Sequence, residues 1–131
     1  MTIIHKHVYL YYGGEPKPIR WVGSSKKYLR RFPNAVRRHI GQALYAAQCG
    51  EEYPTVKVLK GFQGRSVLEV VAPGESGTYR VVYTVRFRDA IYILHAFQKK
   101  STKGIATPKR DMDLIEQRLV AAEQDYGERQ N

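Results

Sequence analysis

The spacing of apolar residues changes partway along this 131-residue chain, and that change limits the fold more than any other feature. In "KKYLRRF", Tyr28, Leu29 and Phe32 stand three and four apart, which predicts a helix capped by Ser24 or Ser25. Pro33 stops it and suits the start of the next helix. There Val36, Ile40, Ala43, Leu44 and Ala47 share one face, with Arg37 and Arg38 on the other, and Gly50 ends the pattern. Beyond that point the period is a strand's. "VLEVVA", "TYRVVYTVRF" and "AIYILHAF" are rich in β-branched and aromatic residues, with "PGESG" and "RD" between them. That predicts a three-stranded antiparallel meander.

"VKVLKGF" is expected to be a fourth extended segment, and "IRWVG" a short strand before the first helix. Thr107 is placed to cap a last helix with Pro108 at its first position, and Met112, Ile115, Leu119 and Ala122 form its stripe. The layout predicts an α+β domain: an N-terminal helical hairpin and a C-terminal helix on one face of a small antiparallel sheet. The length suits a single domain over 1–131, with residues 1–14 as an extension before the break "GGEPKP".

Charge narrows the function. Lys and Arg number 22 against 12 acids, a net +10. Residues 1–110 carry 20 cations and 6 acids (+14), and residues 111–131 carry 2 and 6 (−4). Between Glu15 and Glu51 lie eight cations and no acid. Such a field attracts polyanions, with nucleic acid first and an acidic protein or anionic membrane second. No apolar run approaches the ~20 residues of a membrane span. The N-terminus lacks the pattern of a secretory signal, and the single Cys49 excludes an internal disulfide. A cytoplasmic protein is therefore expected, with Cys49 packed near a helix end.

Metal chemistry has little support. His5 and His7 are two apart with no third ligand near them, and no HExxH, phosphate loop or GxSxG is present. No cofactor is expected. What remains is a set of cations on strands and strand ends: Lys57 and Lys60 around "VL", Arg80 inside "YRVVY", and His95, Lys99 and Lys100 closing the last strand. His95, Phe97 and Lys99 are expected on one strand face with Ile91 and Ile93 behind them. Arg80 stands where an apolar side chain would cost less, so it needs a partner, with Glu69 as one candidate. These types suit RNA cleavage without metal. A base takes the 2′-OH proton, fixed cations stabilise the pentacoordinate phosphate, and an acid protonates the leaving 5′-oxygen. Phe97, Tyr83 and Tyr92 are candidates to stack on an unpaired base. Arg37, Arg38, Arg65, Lys103, Lys109 and Arg110 are candidates to hold RNA phosphates.

The strings "WVGSSKKYLRRFP", "VKVLKGFQG", "VLEVV", "TYRVVYTV" and "YILHAFQKKSTKGIATPKRDMDLI", in that order, resemble the phage-derived HigB-like branch of the RelE toxin superfamily. The resemblance covers about residues 18–126. It implies a compact α+β toxin from a type II toxin–antitoxin operon. It also implies a ribosome-dependent endoribonuclease cutting mRNA, and an antitoxin partner of helix-turn-helix type. By position in the motifs, Lys57 and Lys60 resemble the lysines before the sheet, Arg80 the strand arginine, and Lys99 and Lys100 the basic end of the last strand. Two other classes compete. A non-catalytic RNA-binding module would use the same cations without moving a proton. A DNA-binding regulator would need a recognition helix, for which Arg37, Arg38 and Gln42 are the available set.

Overall fold

The computed structural model describes residues 15–99 and 106–131. The elements are β1 (Ile19–Trp21), α1 (Ser25–Arg30), α2 (Asn34–Gln48), β2 (Val56–Val58), β3 (Val67–Gly74), β4 (Gly77–Thr84), β5 (Ile91–Lys99) and α3 (Lys109–Gln130). The expected α+β class is the one observed. The strands form one sheet in the order β1-β5-β4-β3-β2. The meander β3–β4–β5 and its neighbour β2 are antiparallel as expected. β1 differs: it runs parallel to β5, pairing Ile19 with Ile91 and Trp21 with Ile93, so the sheet is mixed. Segments 72 residues apart carry no local signature of such pairing.

A second correction concerns the layers. The helices do not share one face. α2 packs Val36, Ile40, Ala43 and Leu44 against Val70, Val81, Ile91 and Ile93. α3 packs Ile115, Leu119 and Ala122 against Val67, Val82, Tyr92 and Leu94 on the other side. The central strand β4 shows why. Val81 and Val82 point to opposite faces, and both are fully buried. A strand apolar on both faces needs cover on both.

Two local devices shape the site. The β3–β4 hairpin turns on Glu75 and Ser76, so the strands run further into "PGESG" than expected. In β5 the register shifts: Val82 pairs with His95 but Tyr83 with Ile93, which leaves Leu94 as an extra residue. This bulge changes the alternation. Ile91 and Ile93 face the α2 side, whereas Leu94, His95 and Phe97 face the α3 side. The expected placement of the isoleucines behind His95 on its own face is thereby corrected.

Ser24 is the N-cap of α1, one of the two expected positions, whereas Pro108 and not Thr107 is that of α3; neither cap bonds through its side chain. The nearby hydroxyls serve tertiary contacts instead. Ser25 Oγ donates to the Ile93 carbonyl at 3.1 Å, and Thr107 Oγ1 donates to Glu69 Oε2 at 3.5 Å. Cys49 does sit at a helix end, as the C-cap of α2. His5 and His7 lie outside the described residues.

Candidate functional site

Burying a charge is costly unless it is paired and hydrogen-bonded. The α3 side of the sheet nevertheless buries Glu69 (1% exposed), Arg80 (5%) and His95 (6%). They stand in neighbouring rows across the strands. Lys57 pairs with Glu69, Glu69 with Val82, and Val82 with His95; one step along, Val71 pairs with Arg80 and Arg80 with Phe97. Cross-strand neighbours lie about 5 Å apart, so this is one continuous patch.

Its first half centres on Glu69. Arg80 Nη1 donates to Glu69 Oε1 at 3.2 Å, and Lys57 Nζ stands 4.0 Å from the same oxygen. Arg80 Nε reaches Thr78 Oγ1 at 3.5 Å. Nη2 of Arg80 has no hydrogen-bond partner among the described residues. The ion pair weighed for Arg80 from the sequence is thus present, and it leaves one face of the guanidinium unspent. Lys57 is largely exposed, and Lys60 lies exposed in the loop after β2. At the other end of the row Lys99 Nζ donates to the Ala106 carbonyl at 2.7 Å. Lys100 and Lys103 lie outside the described residues.

The second half centres on His95. Its Nε2 is 2.8 Å from Asp111 Oδ1, and its Nδ1 is 3.4 Å from Arg118 Nη1. A carboxylate accepts and a guanidinium only donates. Both contacts therefore select the neutral ring with its proton on Nε2. Burial pushes the imidazole pKa down; Asp111 opposes that shift and the Arg118 charge adds to it. With both nitrogens committed inside the protein, neither is offered to a substrate in this conformation. Arg118 is tied further, to the Leu94 carbonyl at 2.9 Å and Ser24 Oγ at 3.0 Å. Gly23 makes room for it: the backbone is left-handed there, and a Cβ would stand 2.9 Å from Arg118 Nε. Beside this network lies an open groove of about 850 Å³, lined by Tyr28, Phe97, Gln98, Lys109, Arg110 and Gln117 among others.

The remaining candidates separate by place. Tyr83 and Tyr92 are each 1% exposed, so neither ring has a free face to stack on a base; their role is packing. Burial also lifts the Tyr83 phenol to about 12. Arg65 is tied to α3 through Glu116 at 2.5 Å and Glu123 at 3.6 Å, which makes it a brace between the β2–β3 loop and the helix. Arg37 and Arg38 are exposed on α2, across the sheet from Arg80, with Arg37 bonded to Asn34. Lys109 and Arg110 are exposed in the first turn of α3. Sequence reasoning missed Asp111, Arg118, Ser24 and Gly23. Asp111 had one signal, as the first acid after the cation run that follows the last strand. Among the described residues no group of three or more His, Cys, Asp or Glu is placed to hold a metal ion. None of the described helices is long and apolar enough to cross a membrane.

A second groove of about 830 Å³ lies on the α2 side, among Ala43, Ala47, Tyr53, Val56 and Tyr83. Lys17, Glu51, Glu52 and Lys57 also line it, but none of the buried charges Glu69, Arg80 and His95 does.

Comparison with known proteins adds a family. Residues 27–120 match the family described as phage derived protein Gp49-like (DUF891). No curated protein matches. Among solved structures, the chain is similar to a mutant of the E. coli toxin RelE in the free state, at 17% identity and a TM-score of 0.48, over 63% of this chain and 83% of that one. It is also similar to a chain of the RelBE2 toxin–antitoxin complex from Mycobacterium tuberculosis, at 16% identity and a TM-score of 0.44, over 64% of this chain and 99% of that one.

Proposed function

The chain belongs to the phage-derived Gp49-like family, and from that premise we propose that it is the toxin of a type II toxin–antitoxin pair. It acts in the cytoplasm as a ribosome-dependent endoribonuclease on mRNA. A cognate antitoxin, of helix-turn-helix type, holds it inactive. The 2′-oxygen attacks the adjacent phosphorus, the bond to the 5′-oxygen breaks, and a 2′,3′-cyclic phosphate and a 5′-hydroxyl result. No metal takes part in the chemical step.

One observation carries the reading: Arg80 is buried, held at 3.2 Å by Glu69, and its Nη2 has no partner among the described residues. A guanidinium fixed this way is preorganised for the phosphate oxygens as their charge grows. Glu69 orients it. Proton transfer falls to Lys57, whose Nζ stands 4.0 Å from Glu69, with Lys60, Lys99 and Lys100 as the further candidates from the sequence. His95, with both nitrogens engaged, shapes the site and does not exchange the proton. The exposed cations Arg37, Arg38, Lys109 and Arg110 supply contacts to RNA phosphates.

The test is expression of the chain alone, with the 5′ ends of a reporter mRNA mapped. Growth arrest with discrete new ends inside translated sequence is expected, with rescue by the cognate antitoxin. Arrest with intact mRNA would favour a non-catalytic RNA-binding module. Normal growth at verified folded expression would overturn the toxin reading itself.

A further inference from the structure

The groove beside His95 holds an arrangement that phosphate chemistry does not use. Its wall contains two nearly parallel rings, His95 and Phe97, with centroids 4.7 Å apart and planes at 16°. The bulge at Leu94 puts them there, since it turns His95 and Phe97 onto the α3 side. His95 is locked, with Asp111 on one nitrogen and Arg118 on the other. Phe97 is therefore backed by a ring that does not turn, while it stays only half-buried and lines the groove. Tyr28, 43% exposed, lines the same groove. At its rim Arg110 is exposed and has no ionic or hydrogen-bond partner among the described residues. Lys109 is paired only with Asp113, in an exposed i,i+4 contact that holds it weakly.

A fixed aromatic platform beside an unpaired cation suits a flat π system joined to an anion. A free phosphate has no use for the rings. An apolar peptide side chain has no use for a parallel, hydrogen-bond-locked pair.

We propose that this groove is a nucleobase subsite for single-stranded RNA. A base released from its stack lies against Phe97, and Arg110 takes an adjoining phosphate. The inference rests on the RNA-cleaving reading, because Phe97 is the cross-strand partner of Arg80. The base seated there belongs to a nucleotide at or next to the scissile phosphate.

The probe is a short 2′-O-methyl RNA, which cannot be cleaved, compared with an abasic strand of equal length. Base–aromatic stacking contributes about 1–3 kcal/mol per base. Wild type should thus favour the base-bearing strand by roughly 5- to 150-fold. Phe97→Leu keeps an apolar side chain at a half-buried position, and thermal melts will verify its fold. It should lose that preference while its affinity for the abasic strand is unchanged. Phe97→Trp should retain the preference. Arg110→Gln should weaken both strands equally. This cycle isolates the base–ring contact from charge. Equal binding of both strands by wild type, preference surviving in Phe97→Leu, or no binding of either strand would each overturn the subsite. Equal binding with reporter cleavage intact would leave the nuclease reading standing and point to a protein side chain as the occupant. A Phe97-dependent base preference without any cleavage would keep the subsite and sink the nuclease.

Discussion

The two faces of the sheet are built on different terms. On the α2 face the interior is apolar, from Phe32 and Val36 to Ile91 and Ala96, and the cations Lys26, Lys27, Arg30, Arg31, Arg37 and Arg38 stay at the surface. On the α3 face the apolar core gives way, toward the end of β5, to Glu69, Arg80, His95 and Arg118. The first face lowers the free energy by simple burial, about 25 cal/mol per Å² of apolar surface removed from water. The second keeps charges where hydrophobic residues of the same volume would be as stable or more so. The contrast supports the proposal that one face is scaffold and the other carries the chemistry. It also fits the proposal that the exposed cations of the hairpin contact RNA without taking part in the reaction.

The contrast breaks most visibly with one substitution on each face. Arg80→Ala leaves Glu69 buried without its close ion-pair partner, with Lys57 only at 4.0 Å, and should cost about 3–5 kcal/mol in urea unfolding. Ile40→Ala, on the scaffold face, should cost a similar ~2–5 kcal/mol. Cleavage per folded molecule separates them: it should fall steeply for Arg80→Ala and stay at the wild-type level for Ile40→Ala. The pair Glu69→Leu with Arg80→Met should regain most of the stability and none of the cleavage. A double variant that cleaves would show that the buried charges serve only the fold.

The next effect is pH-dependent. Burial lowers the folded pKa of His95 below its ordinary 6.5. Between those two values the unfolded chain binds more protons than the folded one. Stability then rises with pH across this window, and it is lost as the pH falls from 6.5 to the depressed pKa. Above 6.5 this group adds no slope. Chemical denaturation of wild type and His95→Asn from pH 7.5 to 5 should show the slope in the first and not in the second. Equal slopes would mean that the ring is not held neutral.

The smallest expected change in stability is on the hairpin surface. Arg37→Gln and Arg38→Gln should alter stability by less than about 0.5 kcal/mol. Each should reduce the log–log salt slope of RNA binding by roughly 0.7. An unchanged slope would remove α2 from the RNA contact surface.

Much of this division can be read in the chain, and the unreadable parts have definite causes. The stripe of Val36, Ile40, Ala43, Leu44 and Ala47 sets the buried face of α2, because local spacing alone fixes which side of a helix is apolar. Arg80 stood out because a charge inside "YRVVY" needs a reason, and Glu69 supplies it. The second layer was also written there, in the adjacent Val81 and Val82, but a short apolar run is ambiguous about cover. The parallel pairing of β1 with β5 and the link from Asp111 to His95 depend on closure of long loops, which no local pattern encodes. The bulge is hidden for another reason: Ile91, Ile93 and Leu94 are all apolar, so alternation looks unbroken across the extra residue.

The central claim is that the face of the sheet with buried charges acts on phosphate through Arg80. Arg80→Lys tests it with the least disturbance, since a lysine keeps the charge that Glu69 needs and removes the planar fork. The measurement is single-turnover cleavage on programmed ribosomes, with thermal melts and ribosome binding on the same preparations. The account predicts a fold and a binding affinity close to wild type and a cleavage rate lower by roughly 10²–10³. A well-folded Arg80→Lys protein that cleaves at the wild-type rate would contradict it.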